Sequence, residues 1–412
     1  MRRPHFLMAL VGLVTVACAP SETPPDLVIE NVTVVDAVQG AVPGRTVVVD
    51  DGRIVRVEEA GQTQDAAEVV DGTGRFLIPG LWDFHIHLTY DASFTDAMPA
   101  LFLQHGVTSV RDTGGPLEAM LPVVEAMRSG TDPAPRVFFA GPLLDGAAVV
   151  YDGINNPLLG IANPDPETAR ANIRRLADAG VDFIKIYELV SPEVFDALVE
   201  EAGQLGLPID GHVPLSLLAR EVGPRMNSLE HLRNLEMDCA ADAEAMLAER
   251  RAILEAHDDP AGAALRSRLH AMHRLPAIAD RDDERCTELA EALRGTIQVP
   301  TLRLNSMGIV SPFEREGWSE ALDRLPDEAA APWRRAAAEA PDGPIRDTTH
   351  GRWSLDMTGM LHQAGVPFGA GTDTPIGYAV PGYSLHSELE MLVQAGLQPA
   401  EALYAATVTP AA

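Results

Sequence analysis

The chain has 412 residues, with 60 acidic against 31 basic side chains, a formal net charge of −29 and a pI near 4.6. That balance argues against nucleic acid as a partner, because phosphate binding needs a basic footprint. Hydrophobic residues at 46% exclude a disordered chain and suffice for a large core beside a smaller domain.

The N-terminus reads as an export leader. Arg2 and Arg3 precede an apolar stretch over 6–17. At about 12 residues it is too short to span a bilayer and has the length of a signal-peptide core. It ends in Ala17-Cys18, followed by a proline-rich linker to residue 25. A small residue before a cysteine at that point resembles a bacterial lipobox, although Thr15 stands where leucine is usual. Residues 1–25 are therefore expected to be removed or lipidated at Cys18, leaving a periplasmic or outer-membrane-anchored protein. A lipid on Cys18 is the single membrane contact expected.

From residue 26 to 76 the pattern is short and β-branched, with strands expected over 27–36, 45–49 and 53–58. Asp51-Gly52 and Asp71-Gly72 are the turn signals. This predicts a small N-terminal β domain. The pattern then changes over 77–88, which holds His85 and His87 among apolar residues. In a strand, residues i and i+2 share a face, so both imidazoles leave it together.

After it, short apolar runs alternate with helical segments, the mark of βα units and a parallel sheet. Strands are expected at 81–87, 107–111, 136–140, 183–187, 208–212, 228–231, 298–302 and 367–372. Helices are expected at 116–129, 166–179 and 192–205. The fold class is α/β, a (β/α)8 TIM barrel over 77–412. Two long segments, 239–295 and 303–353, follow the sixth and seventh strands. Each reads either as a lid or substrate wall, or as a peripheral helical decoration. Cys239 and Cys286 lie too few and too far apart for a thiolate metal site, and whether they pair is left open.

Functional residues of such a barrel collect at the C-terminal strand ends. Those ends carry His85 and His87, Lys185, His212, His231 and Asp373. Each alone has a structural explanation, but four histidines, an aspartate and a lysine at corresponding positions form a metal-ligand constellation.

This ensemble resembles the amidohydrolase superfamily of metal-dependent hydrolases. The strings Phe-Ile-Lys-Ile-Tyr, Gly-His-Val-Pro and Gly-Thr-Asp are similar to its imidazolonepropionase-like and Xaa-Pro (prolidase-like) dipeptidase branch. The resemblance implies two divalent metals, zinc first, with manganese or cobalt also accepted by such ligands. His85, His87 and Asp373 would hold one and His212 and His231 the other. Lys185 would be carbamylated and bridge both, its apolar neighbours Phe183, Ile184 and Ile186 favouring the neutral amine that reacts. Catalysis would fall to Asp373 and His231, with a metal-bridging hydroxide attacking the carbonyl carbon and so cleaving an amide or peptide C–N bond of a dipeptide or N-acyl amino acid. The alternatives are a cyclic amide, lactone or phosphoester substrate at the same site, or a non-catalytic metal-binding lipoprotein. Tyr187 and Arg303 are candidate substrate contacts, and Arg111 either meets a substrate carboxylate or pairs internally with Asp112. A small molecule or dipeptide is the expected partner, with homo-oligomerisation left open. The chain departs from the family pattern at its end, where strands completing the small β-sandwich are expected and none follow.

Overall fold

A computed structural model describes residues 24–61, 65–154, 156–340 and 347–411. The expected leader, including Cys18, lies almost wholly outside the described residues. The chain divides into two compact units, one up to Ile78 and one from Pro79 onward.

The first unit is a five-stranded sheet. Its strands are β1 (Leu27–Asp36), β2 (Gly40–Asp50), β3 (Arg53–Glu59), β4 (Glu68–Asp71) and β5 (Phe76–Leu77). The order is β3-β2-β1-β4, with β5 also on β1. β2 runs antiparallel to β1 and β3, while β4 and β5 run parallel to β1. Asp51 and Gly52 join β2 to β3 with φ of 48° and 67°. Positive φ at both central residues matches the right-handed twist of a tight hairpin. Val28, Val32, Val47 and Val48 are buried, whereas Ile54, Val55 and Val57 on the edge strand β3 stay exposed.

The second unit is α/β with parallel sheets. β6 (Leu81–Ile86), β7 (Val107–Asp112) and β8 (Arg136–Phe139) form one sheet. The other contains β9 (Leu143–Asp145), β10 (Gly160–Ala162), β11 (Ile184–Ile186), β12 (Ile209–Gly211), β13 (Ser228–Glu230) and β14 (Ile297–Val299), in the order β10-β9-β11-β12-β13-β14. Crossover helices follow the expected positions. Helix Pro166–Asp178 is capped by the Asp165 carboxylate, which accepts from Thr168 N, and buries Ala169, Ile173 and Leu176 along one stripe. Helix Pro192–Leu205 is capped by Ser191 and ends on Gly206 at φ 69°. No helix among the described residues is long and apolar enough to cross a membrane.

The expected closed eight-stranded ladder is not formed among the described residues. The eighth segment, 367–372, is not a strand. It is held by two isolated parallel bridges, Gln298↔Phe368 and Ile86↔Thr374. Further bonds run from Phe84 N to Ala370 O and from Asp373 N to His85 O. Glycine is needed here: a Cβ on Gly371 would lie 2.7 Å from His85 Cβ. The close approach accompanies the bond that holds Asp373 against β6. At the other junction, Asp182 N donates to Phe139 O, joining β8 to the approach of β11. β9 and β10 were not expected from sequence. Their three-residue length leaves too little pattern to read, and the buried Asp145 carboxylate fixes the turn beyond β9 through Val150 N and Leu189 N.

The segment 239–295 forms helices Ala243–Glu255, Ala263–Ala279 and Asp283–Ala292. Cys239 and Cys286 are joined in a disulfide that ties its two ends.

Candidate metal centre

Alternation along β6 sends Asp83, His85 and His87 to one face. His212 and His231 directly follow β12 and β13, and Lys185 is central in β11. His231 and Asp373 take φ of 60° and 61°, a backbone region non-glycine residues usually avoid. All six expected metal-site residues line one cavity of about 340 Å³. His85 and His231 rings are 4.6 Å apart, and His231 and His212 rings 4.9 Å apart. The tightest grouping joins His85, His231 and Asp373, whose ligand atoms lie within 4.8 Å of one another. The resemblance put His231 with His212 and the bridging Lys185, apart from His85, His87 and Asp373. Instead, Asp373 spans the groups, with Oδ1 on His85 and His87 and Oδ2 3.9 Å from His231 Nε2.

The hydrogen bonds behind the rings assign their tautomers. His87 Nδ1 is 2.9 Å from the Gly114 carbonyl, which can only accept, so Nδ1 carries the proton. His231 Nδ1 lies 2.6 Å from Thr301 Oγ1, whose own proton goes to Pro300 O. His85 Nδ1 pairs with Glu230, and His212 Nδ1 with Glu188 at 2.7 Å. Every Nδ1 is therefore a donor to an outer partner, and every neutral ring turns its Nε2 lone pair inward. Burial, then the charge on Lys185, pushes His85 down to about 3. Burial also pushes His212 down to about 3, against Glu188. His87 is the exception: burial opposes its charge, but Asp373 draws it above the ordinary value.

This arrangement fits a metal. Asp373 Oδ1 lies 3.2 Å from Nε2 of His85 and 3.2 Å from Nε2 of His87. It is buried and accepts no directed hydrogen bond. Acceptors facing one another at that range call for a cation between them. Two ligands at about 2.0–2.1 Å from a tetrahedral ion stand roughly 3.3 Å apart. Imidazoles oriented from behind by carboxylate, carbonyl and hydroxyl are the usual surroundings of metal-bound histidine.

Lys185 differs from the expectation about its neighbours. Ile184 and Ile186 point to the opposite face of β11, and Lys185 Nζ is 3.2 Å from Asp210 Oδ2 and 4.0 Å from Glu230 Oε1. A carboxylate, not an apolar wall, is its immediate partner. Arg111 belongs to the same buried network. It donates to Glu230 Oε1 at 2.6 Å, Ser228 Oγ at 2.9 Å and Phe84 O at 2.8 Å. It meets neither Asp112 nor the cavity.

Of the two expected substrate contacts, Tyr187 lines the cavity and Arg303 does not. Arg303 is committed to the chain that carries Asp373, donating to the carbonyls of Thr372, Ile376 and Gly377. The cations on the cavity wall are instead Arg233, Arg266 and Arg274. The last two come from helix Ala263–Ala279, so the segment 239–295 supplies a wall of the site. Glu188 organises this side, bonding His212, Arg266 and His270. Burial opposes its charge, but Arg266, His270 and His212 hold it well below the carboxylate range. Sequence reasoning missed these residues. Arg266, His270 and Arg274 stand at i, i+4 and i+8, a polar stripe on one helical face that was legible as such.

No family model matches the chain. An adenine deaminase of Desulforamulus reducens is 33% identical over 121 residues, which are 28% of this chain and 20% of that protein. The chain thus matches about a fifth of that curated relative. Among solved structures, a bottromycin amidohydrolase superposes with TM-score 0.65 at 23% identity, covering 92% of this chain and 76% of its own. A Xaa-Pro dipeptidase with methionine bound in its active site superposes with TM-score 0.62 at 18% identity, covering 93% and 87%. These proteins belong to the amidohydrolase superfamily, and the chain shares the fold of the two structures.

Proposed function

We propose, from this amidohydrolase-superfamily fold, that the chain is a metal-dependent hydrolase of C–N bonds, acting on an amide or peptide bond of a small substrate. The supporting observation is that Nε2 of His85 and of His87 each lie 3.2 Å from Asp373 Oδ1, in a cavity that His212 and His231 also line. His85, His87, His212, His231 and Asp373 would hold two divalent metals, with a carbamylated Lys185 between them. Bound there, the metals would polarise the substrate carbonyl and lower the pKa of the attacking water.

The chain's own groups do the rest. Asp373 takes a proton from the attacking water as its oxygen bonds to the carbonyl carbon. It returns that proton to the nitrogen as the C–N bond breaks, giving a carboxylic acid and an amine. Glu230, Glu188, Gly114 and Thr301 keep the four rings in the required tautomer. Arg303 holds the Asp373 segment in place. The closing bonds around 367–374 support reading the two parallel sheets as a (β/α)8 barrel. The leader-like N-terminus and the Cys239–Cys286 disulfide support export to an oxidising compartment.

The relative's name favours one second reading, deamination of an amino-substituted ring. Metal analysis of the purified protein, followed by a screen of N-acyl amino acids, dipeptides and adenine, separates the two. The expected result is stoichiometric metal and turnover of an acyl or peptidyl substrate. Turnover of adenine alone would replace the first reading with the second, and metal without any turnover would reject both.

A further inference from the structure

The cavity that the metal-site residues line also carries a positive charge with no carboxylate in hydrogen-bond or ion-pair contact, Glu188 acting on it only at longer range. Arg266 donates to the buried Glu188 at 2.8 Å, and Arg274 Nε is 3.4 Å from the buried Glu236. Arg233 has no such carboxylate. None of its guanidinium nitrogens makes a hydrogen bond or ion pair among the described residues, and its Nε is buried. Asp347, the remaining acid on the wall, is exposed and accepts from Thr349 N. Arg233 itself is half-buried, its Nε shielded and its two unpaired terminal nitrogens open to the cavity, so these donors are available to whatever enters it.

The backbone holds Arg233 where it is. It sits in the turn after β13, its N bonded to Glu230 O. His231, Leu232 and Asn234 around it all take positive φ, at 60°, 55° and 63°. The turn that presents the His231 ring to the metal site thus presents Arg233 to the same cavity two residues later. Beside it stand Tyr151 and Tyr187, whose hydroxyls make no hydrogen bond among the described residues and are free to donate to a ligand.

We propose that Arg233 is the anchor of a carboxylate subsite, and that the substrate is an acyl or peptidyl amino acid with a free carboxylate close to the scissile bond. A guanidinium presents parallel N–H donors that match a carboxylate in bidentate fashion. One unmatched positive charge suits a monoanion, and a phosphate dianion would leave a negative charge over. A cavity of about 340 Å³ takes a compact ligand of this kind. The substrate assignment rests on the hydrolase reading, whereas the carboxylate subsite does not.

The test compares N-acetyl-L-alanine with its C-terminal amide, first by calorimetric binding to the purified protein as isolated. Wild type is expected to bind the acid about 10- to 100-fold tighter than the amide, the worth of a charge-assisted hydrogen bond. Arg233→Met is expected to remove that gap and Arg233→Lys to keep part of it. Circular dichroism of each variant establishes folding. If Arg233→Met does not fold, the Lys variant and the loss of the wild-type preference in high salt give the same decision. A gap that survives in Arg233→Met, or equal wild-type binding of acid and amide, overturns the proposal. Turnover of both probes is then measured on metal-loaded protein. Acid-selective binding without hydrolysis of any acyl or peptidyl compound leaves the subsite standing and rejects the hydrolase reading. Hydrolysis with no preference for the acid does the reverse.

Discussion

At the scale of single residues, two buried carboxylates have opposite electrostatic fates. Asp373 is held well below its ordinary value, since the surrounding His231 and His85 outweigh the effect of burial. It remains an anion at neutral pH, as the proposed roles of metal ligand and proton carrier require. Asp373→Asn keeps the shape and removes the basic oxygen. Its kcat is expected to fall by about 10²–10⁴-fold, the usual contribution of a positioned acid–base group, with metal content measured alongside. Unchanged turnover at full metal loading would remove the assigned role. Glu388 goes the other way. Burial raises it to about 7, although it accepts from Leu302 N and Arg303 N. The folded chain then holds a proton between about pH 4.5 and 7 that the unfolded chain has released. Stability therefore falls as pH rises through that window, by on the order of 3 kcal/mol for this group. Glu388→Gln should flatten that part of a urea-midpoint against pH curve. Asp83, also raised to about 7 chiefly by burial, leaves a residual slope of the same sign.

Much at this scale was legible in the sequence, because the ligand-type residues sit at strand ends fixed by hydrophobic pattern. His85 and His87 follow from alternation along one strand. The outer partners were not legible. Glu188, Glu230 and Gly114 reach the rings across 24 to 145 positions of chain, and no local pattern encodes such a meeting. Arg303 had the right chemistry for a substrate contact. Three carbonyls of a segment some seventy positions away took its donors instead.

At the scale of elements, the helical insertion changes meaning once folded. Its composition allowed either a wall or a decoration, and the Arg266–His270–Arg274 face makes helix Ala263–Ala279 a wall. The disulfide encloses that helix, with a sequence separation of 47 between Cys239 and Cys286. Closing a loop of that length restricts the unfolded chain by up to about 4 kcal/mol in the chain-entropy account. Cys286→Ser is expected to lower the urea midpoint and raise the m-value, as the unfolded chain loses its restriction, and reductant should do the same to wild type but not to the variant. A midpoint indifferent to both would mean that the insertion is held by packing alone. The segment expected as the eighth strand was the reverse case. Its Gly-Ala-Gly-Thr-Asp string was recognisable, but the absence of a ladder was not. In place of a ladder the segment lies close against β6, where a Cβ on Gly371 would meet His85 Cβ at 2.7 Å.

At the scale of the whole molecule, the two parallel sheets meet along 367–374 through a few bonds, from Phe84 N, His87 N, Gln298 N and Asp373 N, and through the Arg303 clamp. His85 stands on one side of this seam and Asp373 on the other. An ion held by a pair divided in this way would act as a rivet: whatever occupies the site would also decide how often the seam opens. Amide hydrogen exchange reads that directly, because local opening exposes a few bonds without global unfolding. Stripping the ion with a chelator should speed exchange at Phe84, His87 and Asp373 well before it affects Leu229 in β13. Equal protection with and without metal would separate the ion from the fold. On the proposed reading, the expected outcome would tie the lifetime of the fold to the supply of the ion.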